Sequence, residues 1–220
     1  MFERYYRRPL DGAGPNPFRC EGFVRDGQIA GQGCAPVPIA TLPAFLRALL
    51  VTDGTVTKML EAYFWEPVAV DTRRQEFIRA VVEMPWIEVA PGDEVLLREA
   101  RLRGVDSGNH YALAFSVIRA ERIPKSFRQR LIDREIGIGA LIRDSGLESY
   151  REVMEVGVEP VLGPAPVLAA ASAGTPAAGV ASAAGVGADG AAALFRTYRI
   201  IIDRAPVILI SETFPLALYL

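Results

Sequence analysis

Histidine is almost missing from this 220-residue sequence: His110 is the only one, and Cys20 and Cys34 are the only cysteines. With no CxxC spacing and no histidine cluster, the two thiols form no zinc-ligand pattern and read as reduced cysteines of a cytoplasmic protein. His110 sits beside a turn and belongs to no nucleophile or metal-ligand pattern in the sequence, so it reads as a surface histidine and is given no role. An excess of one charge is also lacking, since 24 Lys and Arg stand against 26 Asp and Glu. That balance excludes a nucleic-acid surface or polybasic membrane patch and leaves small-molecule chemistry or protein contacts. Long apolar runs are missing too: charge, proline or glycine breaks each one before the roughly 20 residues a membrane helix needs. The start, Met1-Phe-Glu-Arg-Tyr-Tyr-Arg-Arg8, has no apolar segment behind it, so no signal peptide is expected and the protein is placed in the cytoplasm. Gly137-x-Gly139 is too short for a nucleotide loop and follows no strand; it suits the approach of backbone amides to a ligand.

What is present is a large apolar fraction, 50% of the residues. It is enough for one sizeable core in one domain with insertions. Residues 1–40 read as an irregular arm, rich in Gly and Pro from residue 9, with one short strand over Phe18 to Arg25. Residues 41–220 read as a single domain. It opens with a helical hairpin over 41–64, in which Thr41 is placed to cap, Pro43 to enter the first turn, and Thr52-Asp-Gly-Thr55 to turn and cap again. Strands are predicted over Val68 to Val81, Glu94 to Arg103 and His110 to Arg119, the last two joined by the turn Val105 to Asn109. A helix over Ile123 to Arg134 with an apolar face of Phe127, Leu131 and Ile132, and a short one over Ala140 to Asp144, precede a strand over Leu147 to Val158. Residues from about 160 to 193 are almost wholly Ala, Gly, Pro, Ser and Val and read as a flexible insert. Two strands, Leu194 to Asp203 and Pro206 to Phe214, close the chain through the tight Asp203-Arg204 turn. Runs of strands with helices between them predict an α+β fold around a central antiparallel sheet.

Two charges fall on apolar strand faces. In Pro206-Val-Ile-Leu-Ile-Ser-Glu-Thr-Phe-Pro215, alternation puts Glu212 with Ile208, Ile210 and Phe214. In Glu94-Val-Leu-Leu-Arg-Glu-Ala-Arg-Leu-Arg103, it puts Arg98 with Leu96, Ala100 and Leu102. An unpaired carboxylate in an apolar interior costs several kcal/mol, so Glu212 needs a cationic partner, a hydrogen-bonding ligand, or both. A guanidinium beside an apolar pocket is a bidentate receptor for a planar carboxylate. Two arrangements satisfy the pair: a direct Arg98–Glu212 salt bridge, or a small anionic ligand carrying a hydroxyl held between them.

Five stretches, in this order and spacing, carry a family resemblance. They are Leu50-Val-Thr-Asp-Gly-Thr-Val-Thr-Lys-Met-Leu-Glu61, Leu96-Leu-Arg-Glu-Ala-Arg-Leu102, Ala114-Phe-Ser-Val-Ile-Arg-Ala-Glu-Arg-Ile-Pro124, Gly137-Ile-Gly-Ala-Leu-Ile142 through Tyr150-Arg-Glu152, and Phe195-Arg-Thr-Tyr-Arg-Ile-Ile201 to Ser211-Glu-Thr-Phe-Pro215. Over about residues 41–158 and 194–216 the chain resembles the chorismate lyase family, in particular its mycobacterial and archaeal branch. The resemblance implies helical flaps that enclose a ligand over the sheet, and conversion of chorismate to 4-hydroxybenzoate and pyruvate with no cofactor and no metal. By position it implies that Arg98 binds the substrate carboxylate, Glu212 meets the ring hydroxyl as anchor or base, the Ile138 backbone amide helps hold the carboxylate, and Val56 lines the pocket where some members have methionine. Where relatives carry Pro-Leu-Gly, this chain has Gly137-Ile138-Gly139. The same fold also serves as a non-catalytic, small-molecule-binding sensor module of transcription regulators. That alternative is disfavoured here by the lack of a helix-turn-helix pattern before residue 41.

Overall fold

The structure is a computed structural model that describes residues 24–133, 137–160 and 192–219. Its frame is a six-stranded antiparallel sheet in the order β4-β5-β6-β9-β8-β7. The strands are β4 (Val68–Arg79), β5 (Glu94–Gly104), β6 (His110–Ile118), β7 (Ser149–Pro160), β8 (Ala192–Ile202) and β9 (Ala205–Pro215). Each half is a three-strand meander preceded by two helices. Helices α1 (Ala44–Val51) and α2 (Val56–Phe64) lead into β4, and α3 (Lys125–Ile132) and α4 (Ile138–Ser145) lead into β7. The halves meet where β6 pairs with β9, from Leu113 opposite Thr213 to Ile118 opposite Ile208. Antiparallel strands allow such short connections, and the α+β class expected from the strand runs is the architecture observed.

Alternation sets which face each strand buries. On β9, Ile208, Ile210, Glu212 and Phe214 are buried while Leu209, Ser211 and Thr213 are partly exposed. The β8–β9 turn carries positive φ at Asp203 and Arg204, and begins with Ile202 opposite Ala205. Continued without interruption, that register would set each inward residue of β8 against an outward residue of β9. A bulge resolves the conflict: Ile201 pairs with Pro206, Ile200 with Ile208, and Val207 is the extra residue. Beyond it, inward residues oppose inward residues, and Arg196 lies opposite Glu212.

The helices differ from expectation at their starts. Thr41 lies in a 3-10 turn and its hydroxyl donates to the Pro38 carbonyl, so it does not cap α1, which begins after Pro43. Thr55 stands at the start of α2 without a side-chain cap. Helix α4 begins at Ile138, two residues earlier than its periodicity suggests, and ends at Gly146 in the left-handed region. Residues 24–38 have no clear periodicity, yet they form a small antiparallel sheet, β1 (Val24–Arg25), β2 (Gln28–Ile29) and β3 (Val37–Pro38). Val24, Ile29 and Ile39 join the main core with α1, α2 and the inner face of β7, and the Val158 amide donates to the Ala30 carbonyl at 3.0 Å. This part of the arm is therefore built into the domain. The strand expected over Phe18 to Arg25, Cys20 and the expected insert lie wholly or mainly outside the described residues; Pro160, Ala192 and Ala193 belong to β7 and β8.

Candidate active site

Between the sheet and the starts of α2 and α4 lies a cavity of about 330 Å³. Arg98, Glu212, Val56 and Ile138, the four residues singled out from sequence, all line it. Small side chains create the hollow: Ala100, Ala114 and Ser116 occupy inward positions between Arg98 on β5 and Glu212 on β9. Arg98 lies opposite Ser116, and Glu212 opposite Ala114, on the next inward row. Two strand spacings across and two residues along separate their Cα atoms by roughly 12 Å, room for a six-membered ring between the two side chains.

The roof is two helix starts. A Cβ added at Gly139 would lie 3.0 Å from the Thr55 methyl, and one added at Gly137 would lie 3.2 Å from Val70. The two flaps thus close against each other and against β4 through glycines. The first amides of a helix have no intrahelical partner, and those around Ile138 and Val56 border the cavity, where they favour negative charge.

Glu212, 6% exposed, is held by residues that sequence reasoning did not select. Arg196 Nε donates to Glu212 Oε2 at 2.9 Å and the Tyr198 hydroxyl donates to Oε1 at 3.1 Å. The direct Arg98–Glu212 bridge considered above is replaced by this pair: the cation that offsets Glu212 comes from the neighbouring strand β8. Arg196, fully buried, also donates through Nη1 to the carbonyls of Leu49 at 2.6 Å and Thr52 at 2.8 Å, at the C-terminal end of α1. A cation there complements the helix dipole. Burial, followed by the Glu212 charge, pushes the Tyr198 phenol well above its ordinary range, while the Arg196 and Arg151 charges oppose the shift. Tyr198 therefore remains a proton donor to Glu212 at neutral pH. On the other side of the cavity, Arg98 Nη2 donates to Thr72 Oγ1 at 2.9 Å, which fixes the guanidinium beside the small-residue hollow.

Arg196 and Tyr198 were hard to find in Ala192-Ala-Leu-Phe-Arg-Thr-Tyr-Arg-Ile-Ile-Ile202 because apolar residues occur on both faces of that strand. The available signal was parity: with Glu212 inward, a bulge after the tight turn puts Arg196 directly across from it. His110 is exposed, and no group of metal-binding side chains occurs among the described residues. No helix among them is long and apolar enough to cross a membrane.

Fold and site together define an antiparallel-sheet domain that encloses a cavity with a cationic and an acidic group on its floor. The family described as Chorismate pyruvate-lyase Rv2949c-like matches residues 50–162, half of the chain, and the chain belongs to that family. A curated relative, Chorismate pyruvate-lyase of Mycobacterium leprae (strain TN), is 29% identical over 118 residues, which are 54% of this chain and 56% of the relative. The matched part thus spans little more than half of that relative's length. Among solved structures, PhnF from Mycobacterium smegmatis matches with a TM-score of 0.50 and 16% identity over 75% of this chain and 65% of that one, a likeness of fold alone. The effector domain of the same protein matches with a TM-score of 0.49 and 17% identity over 74% of this chain and 88% of that domain.

Proposed function

We propose that the chain is a lyase that converts chorismate to 4-hydroxybenzoate and pyruvate in the cavity under α2 and α4. The observation that carries this reading is the placement of Arg98 and Glu212 on one cavity floor, a ring's width apart, in a member of this family. Arg98 takes the ring carboxylate, assisted by the amide of Ile138, and Val56 packs against the ring from α2. Glu212, fixed by Arg196 and Tyr198, meets the ring hydroxyl. The bond between ring carbon and enolpyruvyl oxygen breaks, and the proton on the neighbouring hydroxyl-bearing carbon leaves. The new double bond completes the aromatic ring, and the released enolpyruvate takes up a proton on carbon to become pyruvate. Aromatisation supplies the driving force, so the protein's share is positioning, exclusion of water by the flaps, and a carboxylate beside the departing proton. This chemistry calls for no cofactor and no metal. The partners are the small-molecule substrate and product, with neither nucleic acid nor a membrane, in keeping with the balanced charge.

The test is incubation of the protein with chorismate, with 4-hydroxybenzoate and pyruvate followed by chromatography. Equimolar products are expected. Arg98→Ala should lose about 1.5 to 3 kcal/mol of binding, or about 10- to 150-fold in affinity for 4-hydroxybenzoate. Unchanged turnover in that variant refutes the assignment. Tight binding of 4-hydroxybenzoate with no turnover in wild type would instead make the chain a small-molecule-binding module of the same fold.

A further inference from the structure

Arg151 on β7 has no part in the chemistry above, yet it lines the cavity. Its register partner is Ile200, another inward cavity residue, so its side chain leaves the sheet on the ligand side. Arg151 Nη1 donates to the Asp53 carbonyl at 2.6 Å, one residue from the Thr52 carbonyl that receives Arg196. That contact fixes the guanidinium at the Glu212 end of the cavity, away from Arg98. The other two rim cations are already engaged: Lys58 pairs with Glu61 at 2.6 Å and Arg143 with Asp144 at 3.0 Å. Arg151 forms no ion pair among the described residues. The charge of Arg151 also reaches the Tyr198 phenol beside Glu212.

Along the sheet the order is therefore cation on β5, acid on β9, cation on β7. Chorismate presents a matching order: ring carboxylate, ring hydroxyl, and a second carboxylate on the enolpyruvyl group, which is attached to the carbon next to the hydroxyl. We infer that Arg151 is the receptor for the enolpyruvyl carboxylate and makes the site selective for the dicarboxylate substrate over its monocarboxylate product. The inference rests on the lyase reading and deepens it. A cation at the leaving group also steadies the charge that builds on enolpyruvate as the bond breaks. After turnover that contact leaves with pyruvate, so 4-hydroxybenzoate keeps the contacts to Arg98, Ile138, Val56 and Glu212 and loses the one to Arg151.

The experiment compares wild type, Arg151→Gln and Arg151→Lys in two measurements, steady-state kinetics with chorismate and calorimetric binding of 4-hydroxybenzoate. Arg151→Gln should raise the chorismate KM by about tenfold or more and leave 4-hydroxybenzoate binding within about twofold, the size expected for one charge-assisted contact. Arg151→Lys should recover part of the loss, because charge survives without the bidentate fork. If both ligands weaken together, Arg151 only holds the Asp53 loop and the inference fails. If neither changes, it fails as well. A wild type that consumes no chorismate defeats the lyase reading itself and takes this subsite with it, whereas wild-type turnover with an unaffected Arg151→Gln defeats the subsite alone.

Discussion

Breaking the Arg196–Glu212 pair from its two sides should have unequal consequences, because the partners left behind differ. Removing Arg196 strands a carboxylate that is 6% exposed and frees the carbonyls of Leu49 and Thr52. Arg196→Met should therefore cost about 3 to 5 kcal/mol, read by urea unfolding. Glu212→Gln leaves Arg196 with its two carbonyl acceptors and retains an oxygen for the Tyr198 hydroxyl, so its loss should be clearly smaller. Equal losses in the two variants would contradict the network. A second single-residue case is Gly157 on β7. A Cβ there would sit 2.5 Å from two ring atoms of its cross-strand partner Phe195, so Gly157→Ala should cost about 1 to 3 kcal/mol by overpacking.

The β5–β6 connection is organised by Glu66, which accepts from the Tyr111 hydroxyl and from the amides of Asp106 and Ser107 at 2.8 and 2.9 Å. Those bonds, Tyr111 first, hold its carboxyl at about 2, down from the ordinary 4.5. A lowered folded value means the bonds stabilise the protein fully above pH 4.5, and that contribution is lost as pH falls toward 2. Urea unfolding of wild type and Glu66→Gln should thus differ at pH 7 and converge near pH 2. At the flap elements, Gly139→Ala should weaken ligand binding by pressing on Thr55, and Thr55→Ser, which removes the pressed methyl, should restore it. The same elements show what pattern can and cannot disclose. The six long strands and the inward positions of Arg98 and Glu212 were legible because polar and apolar residues alternate on β5 and β9. Strands of two residues are too short to show a period, so β1 to β3 were not. Arg196 escaped because β8 is apolar on both faces, and its placement depends on the Val207 bulge, a feature of register and not of composition.

Across the whole molecule the two helix-and-meander halves share their interior. The largest core cluster draws Leu46, Leu60 and Leu102 from the first half and Val158, Leu194 and Phe214 from the second. That cluster belongs to neither half alone, so unfolding should be a single transition, with circular dichroism and tryptophan fluorescence coinciding. The cavity lies across the same seam, with Arg98 from the first half and Glu212 from the second, so a ligand bound there clamps both. Under the lyase reading, 4-hydroxybenzoate at 100 times its dissociation constant should add about 2.7 kcal/mol to stability. Arg98→Ala should lose about half of that gain or more at the same ligand concentration.

The two carbonyl contacts of Arg196 also bear on how this pocket can be re-engineered. Exchanging Glu212 for a neutral residue, to accept a ring without a hydroxyl, leaves an arginine whose remaining duty is to finish α1. Exchanging Arg196 alone isolates the acid. Retargeting of the floor can therefore start at 212, whereas any exchange at 196 has to be paired with one at 212 and with a new stop for α1, and libraries that vary 196 alone will return mostly unstable proteins.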